Sequence, residues 1–234
     1  MEPKYKRILL KISGESLAGD KRHGFSSSAL AATAKQIATL NKAGVEIGVV
    51  VGGGNFWRGR EGDEMDRTSA DYMGMLATVI NALALSDALD RQGVDNRVMT
   101  ALAIDKIGEP YNVKTAKRYL SDGKVVVFGG GTGSPFFTTD TGASLKACEI
   151  QAEVLLLAKN IDGIYDSDPK TNPNAKKFDT LTYDEYVEKG LRALDTSAVV
   201  MCKENGLKIH AFGNLNENSI VNAVFADSDG TVVY

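Results

Sequence analysis

The feature that most constrains this chain is a series of short apolar runs set between stretches of helical spacing. The runs lie at residues 7–12, 45–51, 97–101, 124–128, 154–158 and 208–212. Runs of five to seven residues, rich in Val, Ile and Leu, read as strands buried on both faces. Between the first two, Leu30, Ala34, Ile37 and Leu40 fall at helical spacing after Ser26, Ser27 and Ser28, which are capping candidates. A longer helix is expected from Asp71 to Arg91, with Leu76, Val79, Ile80 and Leu83 as one apolar stripe. Strands alternating with helices predict a three-layer α/β/α sandwich with a mainly parallel central sheet. No repeat or long linker divides residues 1–234, and the polar stretch 166–177 reads as an ordered excursion, so one domain is expected. Such sheets bind ligands beyond the carboxyl ends of their strands.

Several function classes are disfavoured by composition. A formal charge of −3 gives no footprint for nucleic acid, which requires clustered Lys and Arg. Cys148 and Cys202 are too few for a disulfide scaffold or a zinc site and read as reduced packing thiols. His23 and His210 do not make a metal cluster or a serine triad. No run reaches the ~18 consecutive apolar residues of a membrane span, and the opening Met-Glu-Pro-Lys leads into a strand rather than a secretory segment, so a cytoplasmic protein is expected.

Three of the runs end in glycine-bearing turns: Lys11-Ile12-Ser13-Gly14-Glu15, Gly52-Gly53-Gly54-Asn55 and Gly129-Gly130-Gly131-Thr132-Gly133. Glycine lets backbone N–H groups approach an anion without obstruction by Cβ, and a following helix N-terminus adds favourable partial charge. One such turn alone is more often just a turn. Three that share a position after apolar strands point to a polyphosphate. Neither the P-loop nor the dinucleotide fingerprint is present. Lys11 at the end of the first strand and Arg58, four residues after Gly54, bring two cations to the same place.

These residues carry a resemblance. Residues 5–15 resemble the opening of bacterial UMP kinases of the amino acid kinase superfamily. So do Gly52-Gly53-Gly54-Asn55-Phe56-Trp57-Arg58-Gly59 and Asp71-Tyr72-Met73-Gly74-Met75-Leu76-Ala77-Thr78. The run Gly131-Thr132-Gly133-Ser134-Pro135-Phe136-Phe137-Thr138-Thr139-Asp140 is similar to that family's UMP loop, and Asp162-Gly163-Ile164-Tyr165-Asp166-Ser167-Asp168-Pro169 to its adenine-side segment. The likeness covers essentially the whole chain. Two departures concern the adenine side and the effector contacts: residues 158–162 are one shorter than in many Gram-positive relatives, and Ser86 and Asp90 stand where some relatives carry basic or imidazole groups.

The resemblance implies ATP-dependent phosphorylation of UMP to UDP, with Lys11, Arg58 and Asp140 as catalytic residues. For ATP it implies Lys11, Ile12, Ser13, Gly14, Gly54, Arg58, Asn160, Tyr165 and Asp168, with Asp195 supporting the nucleotide side. For UMP it implies Gly53, Asp71, Thr132, Gly133, Ser134, Pro135, Phe136, Phe137, Thr138 and Thr139. Asp140 is read either as a simple helix N-cap or as the group that orients Lys11. Mg²⁺ is expected to travel on ATP, with no dedicated protein ligand assigned. Family behaviour further implies a homohexamer, inhibition by UTP, and activation by GTP through Gly19, Asp20, Lys21, Arg22, His23 and Gly24. A carboxylate or carbamate kinase of the same superfamily, and a nucleotide-binding regulator without turnover, are the competing readings.

Overall fold

The computed structural model describes residues 2–21, 23–57, 65–213, 217–226 and 230–234. In chain order the first half runs β1 (Arg7–Ile12), α1 (Gly14–Ala18), α2 (Ser27–Lys42), β2 (Glu46–Val51), α3 (Arg67–Arg91), β3 (Asn96–Thr100), β4 (Glu109–Pro110), α4 (Val113–Ser121) and β5 (Val125–Gly129). The second half continues with α5 (Thr139–Glu149), β6 (Val154–Lys159), β7 (Ile164–Tyr165), β8 (Lys177–Phe178), β9 (Thr180–Leu181), α6 (Tyr183–Glu188), α7 (Thr196–Glu204), β10 (Lys208–Gly213), α8 (Ser219–Phe225) and β11 (Thr231–Val233). Nine strands form one sheet in the order β4-β3-β5-β2-β1-β6-β10-β11-β9, parallel at every join except the antiparallel β10–β11 pair. The six runs read from sequence are all strands, each within one residue of its expected ends.

Side chains alternate across this sheet and divide the core in two. Ile8, Leu10 and Ile12 of β1 join Ile47, Val49 and Val51 of β2 under α2, α3 and α8, where Ile37, Leu40, Leu85, Leu89 and Val224 are buried. Leu9, Val126, Phe128, Leu155 and Leu157 face the other way, against Ala143 and Ala147 of α5 and Val199 and Cys202 of α7. Each fully buried Leu or Ile contributes about 1.5–3 kcal/mol relative to exposure. Lys11 continues the Leu9 face of β1, so its side chain leaves the sheet on the α5 side, where the apolar packing ends.

The long helix begins four residues earlier than expected, because Asp66 caps it by accepting the Ser69 N–H at 2.9 Å. Its core stripe also differs from the sequence expectation. Val79 is buried, but Leu76, Ile80 and Leu83 are 48%, 44% and 38% exposed, and the core side is Met75, Thr78, Val79, Ala82, Leu85 and Leu89. The helix lies close to the sheet at Gly129, where a Cβ would stand 3.2 Å from Val79 Cα. By length and apolarity Arg67–Arg91 would suffice to cross a membrane, yet half of its most apolar window is buried against the rest of the protein. It packs on β5, β3 and α2.

The stretch 166–177 connects the antiparallel ribbon β7–β8, and its ends are tied by the Asp166 N–H to the Lys176 carbonyl and the Lys176 N–H to Asp166 Oδ1.

Candidate active site

The carboxyl ends of β1, β2 and β5 form the floor of the site. There the glycine loops pack on each other so closely that side chains do not fit. A Cβ on Gly14 would lie 2.5 Å from the Gly52 carbonyl, and one on Gly53 would lie 2.8 Å from the Gly74 carbonyl of α3. Two buried amides fix these loops. Asn81 of α3 donates to the Gly52 carbonyl and pairs with Asn55, and Asn55 also donates to the Gly24 carbonyl at 2.9 Å. The Thr78 hydroxyl accepts the Gly130 N–H at 2.8 Å, tying the third loop to the same helix.

A cleft of about 210 Å³ opens between the start of α3 and the loop before α5. Of the residues expected to meet UMP, Gly53, Asp71, Thr132, Ser134, Phe137, Thr138 and Thr139 line it. Gly133, Pro135 and Phe136 lie in the same loop without lining the cleft, while Gly54, expected on the ATP side, does line it. Asp71 Oδ2 accepts the Phe136 N–H at 2.7 Å and faces Arg67 Nε at 2.9 Å. Arg67, which also lines the cleft and stands 5.5 Å from the Phe136 ring centre, escaped sequence reading because it precedes the recognisable Asp71 block.

A larger cleft, of about 490 Å³, lies near the ends of β6 and β7. Tyr165 and Asp168 line it, together with Ile161, Leu191, Arg192 and Ala193, which no local pattern marks in the sequence. Tyr165 is not a core aromatic: its hydroxyl donates to Asp162 Oδ1 at 2.7 Å on the surface. Asn160 is outside the lining and donates to Glu15 Oε2 at 3.3 Å, which connects the end of β6 to the loop after β1.

A chain of polar groups joins the two clefts. Thr138 caps α5, accepting the Thr141 N–H at 3.4 Å, so Asp140 is not the N-cap. Asp140 lies in the first turn, and Lys11 Nζ stands 2.8 Å from its Oδ1, a buried oxygen with no aligned hydrogen-bond donor. Burial would raise this carboxyl, but the ammonium groups of Lys11 and Lys159 outweigh it and hold Asp140 below the usual carboxylate range. The Thr138 hydroxyl donates to Asp195, and Lys159 donates to the carbonyl of Ala193 in the larger cleft. Asp195 is the N-cap residue of α7 by position but makes no capping bond, since its carboxylate is turned to Thr138.

Ser13 caps α1 by accepting the Ser16 N–H at 3.2 Å, which opens a helix after Lys11 and Ile12. Of the loop expected to answer GTP, Gly19 and Gly24 hold positive φ values of 57° and 71°, and the Gly24 N–H is bonded to the Asn55 carbonyl at 3.1 Å. Arg58, expected to be catalytic, and Arg22, expected to meet GTP, lie outside the described residues. Ser86 and Asp90 are engaged locally: both bond the side chain of Asn96 in β3. Among the described residues no cluster of three or more His, Cys, Asp or Glu is placed to hold a metal ion.

Comparison with known proteins agrees with this architecture. A UMP kinase from Bacillus anthracis superposes with a TM-score of 0.90 at 34% identity, over 98% of this chain and 96% of that one. A UMP kinase from Ureaplasma parvum gives 0.90 at 35% identity, over 98% and 99%. A uridylate kinase from Archaeoglobus fulgidus gives 0.75 at 28% identity, over 97% and 99%. Residues 6–213 match the amino acid kinase family, and the chain belongs to that family.

Proposed function

We propose that this protein transfers the γ-phosphoryl group of MgATP to the phosphate of UMP, giving UDP and ADP. The observation that carries this reading is a Lys11–Asp140 pair that lies between two clefts and is linked to them through Lys159 and Ala193 on one side and Asp195 and Thr138 on the other, in a chain similar over nearly its whole length to two UMP kinases at 34% and 35% identity. UMP takes the smaller cleft, with its phosphate toward the start of α5, and MgATP takes the larger one.

An oxygen of the UMP phosphate attacks the γ-phosphorus, and the bond from that phosphorus to the β–γ bridging oxygen breaks. The acceptor oxygen is already anionic, so no base is needed, and catalysis reduces to alignment and charge stabilisation. Lys11 supplies a cation to the transferring group, with Arg58 in the same role. Asp140 holds Lys11 in place through the ion pair. Asp195 positions Thr138 at the junction. Gly14 and Gly54 offer backbone donors, and Ile12, Ser13, Asn160, Tyr165 and Asp168 belong to the donor side.

Mg²⁺ enters as part of the donor substrate. Asp140, the carboxylate nearest the junction, is flanked by two ammonium groups and does not offer the open oxygen set that a resident Mg²⁺ requires.

The finer parts of the proposal rest on separate supports. The exposed Leu76, Ile80 and Leu83 on α3 suit a face covered by another subunit of a homohexamer. GTP activation through residues 19–24 is supported by the two bonds between Asn55 and Gly24, which join that loop to the glycine floor. UTP inhibition is supported only by shared base and ribose. One domain and a cytoplasmic location complete the reading. A coupled assay of ADP release decides the activity: release that depends on UMP supports it, whereas release driven by glutamate, aspartate or carbamate, or UTP binding without turnover, defeats it.

A further inference from the structure

The strand β6 is an apolar run that ends in a lysine. In the register of the sheet Lys11 pairs with Leu157, and side chains alternate, so Lys159, two residues on, leaves the sheet on the same face as Lys11. Its Nζ donates to the Ala193 carbonyl, which belongs to the larger cleft. Asp140, Lys11 and Asp195 are the charged groups that face it. Asp140 and Asp195 attract the ammonium, Lys11 repels it, and burial disfavours its charge most of all.

We propose that Lys159 is a positioning residue for phosphoryl transfer: it shares the Asp140 carboxylate with Lys11 and ties that pair, through the Ala193 carbonyl, to the wall of the donor cleft. The inference rests on the assignment of the larger cleft to the phosphoryl donor. Two ammonium groups and two carboxylates make a neutral set before any substrate enters, so an arriving polyphosphate meets oriented cations rather than a site that must reorganise. Stability does not account for the arrangement. A second buried ammonium beside Lys11 adds repulsion and desolvation, and apolar residues of similar volume commonly replace buried charges without loss. A lysine held this way has its pKa lowered by burial first, then by Lys11, so it loses its proton at lower pH than an exposed lysine.

The test is steady-state kinetics of the full-length enzyme with MgATP and UMP varied separately, for wild type, Lys159→Met and Lys159→Arg, with melting temperatures for each. Lys159→Met should lower kcat by about tenfold or more, a modest fraction of what loss of a direct contact costs. It should also raise the KM for MgATP more than that for UMP. Lys159→Arg should recover part of kcat, and its kcat should persist to higher pH than that of wild type, because a guanidinium does not deprotonate. Values of kcat and both KM within about twofold of wild type in Lys159→Met would overturn the proposal. An alkaline limb that does not move in Lys159→Arg would also overturn it, and this criterion decides alone if the Met variant fails to fold. Wild type without UMP-dependent ADP release would defeat the kinase reading and Lys159 with it. An active wild type matched by Lys159→Met defeats only this inference.

Discussion

Asp71 on α3 accepts the backbone N–H of Phe136 at 2.7 Å across 65 residues of sequence, and so fastens the loop before α5 to the start of the long helix. Phe136 has a φ of 71°, a left-handed conformation that costs a residue with a Cβ about 1–2 kcal/mol. The bond to a carboxylate offsets a cost of that size. The smaller cleft is therefore shaped by Asp71 before any ligand enters.

Asp71→Asn should raise the KM for UMP by about tenfold or more, in line with loss of a charge-assisted bond, while the KM for MgATP changes little. The Arg67 pair, at 2.9 Å, is lost together with the carboxylate. Steady-state kinetics with each substrate varied in turn checks this. Equal rises in both constants would show that Asp71 supports the fold in general rather than the acceptor side.

Lys11→Ala should reduce kcat by about a hundredfold or more while leaving the circular dichroism spectrum unchanged. Lys11 lies at the end of β1 beyond the last apolar layer, so its removal leaves Ile8, Leu9, Leu10 and Ile12 packed as before. Near-normal turnover would mean that Arg58 alone serves the transferring group.

Much of this was legible in the sequence because long strands announce themselves. Residues 7–12 and 154–158 carry a short apolar run of the length and composition of a doubly covered strand, whereas β4, β7, β8 and β9, of two residues each, and β11, of three, have no period to read. The stripe on α3 failed for a physical reason: Leu76, Ile80 and Leu83 fit the helical period, but it is the side with Val79 and Ala82 that approaches the sheet at Gly129. Within the site, Lys11, Asp71 and the loop 131–140 stood out through glycines and local motifs. Lys159 and Ala193 did not, since they meet only through tertiary packing, although a lysine ending a run of Val and Leu in phase with Lys11 was a usable signal.

The pH dependence of stability should expose Asp140. Its folded pKa lies below the ordinary 3.8 because Lys11 and Lys159 outweigh the effect of burial. A carboxyl of this kind stabilises the fold above its unfolded pKa, and the contribution disappears as pH falls through the folded value. Asp140→Asn removes the carboxylate that pairs with Lys11 and faces Lys159, and should cost about 3 kcal/mol at neutral pH. Urea titrations at decreasing pH should show wild type converging on the variant in acid. A gap that stays constant would mean that Asp140 is not the carboxylate that holds this pair.

The acceptor loop should read the base as well as the phosphate. Uracil presents an acceptor at O4 and a donor at N3, and cytosine reverses both, so any matched pair of protein groups faces two wrong partners with CMP. Hydroxyl groups are poor discriminators because they rotate to donate or accept. Two of the four hydroxyls in this loop are already engaged. Thr132 Oγ1 donates to the Ser134 carbonyl at 3.0 Å and accepts the Ser134 N–H at 3.2 Å, and the Thr138 hydroxyl donates to Asp195. Strong discrimination then requires backbone groups, whose polarity is fixed, or water held in one orientation by its other partners. Each buried polar group left unpaired costs about 1–3 kcal/mol. Two reversed contacts give a preference for UMP over CMP of about a hundredfold or more, close to 3 kcal/mol at about 1.4 kcal/mol per factor of ten. The ratio of the two kcat/KM values measures it. A ratio below about tenfold would show that residues 132–139 do not read the base in this way.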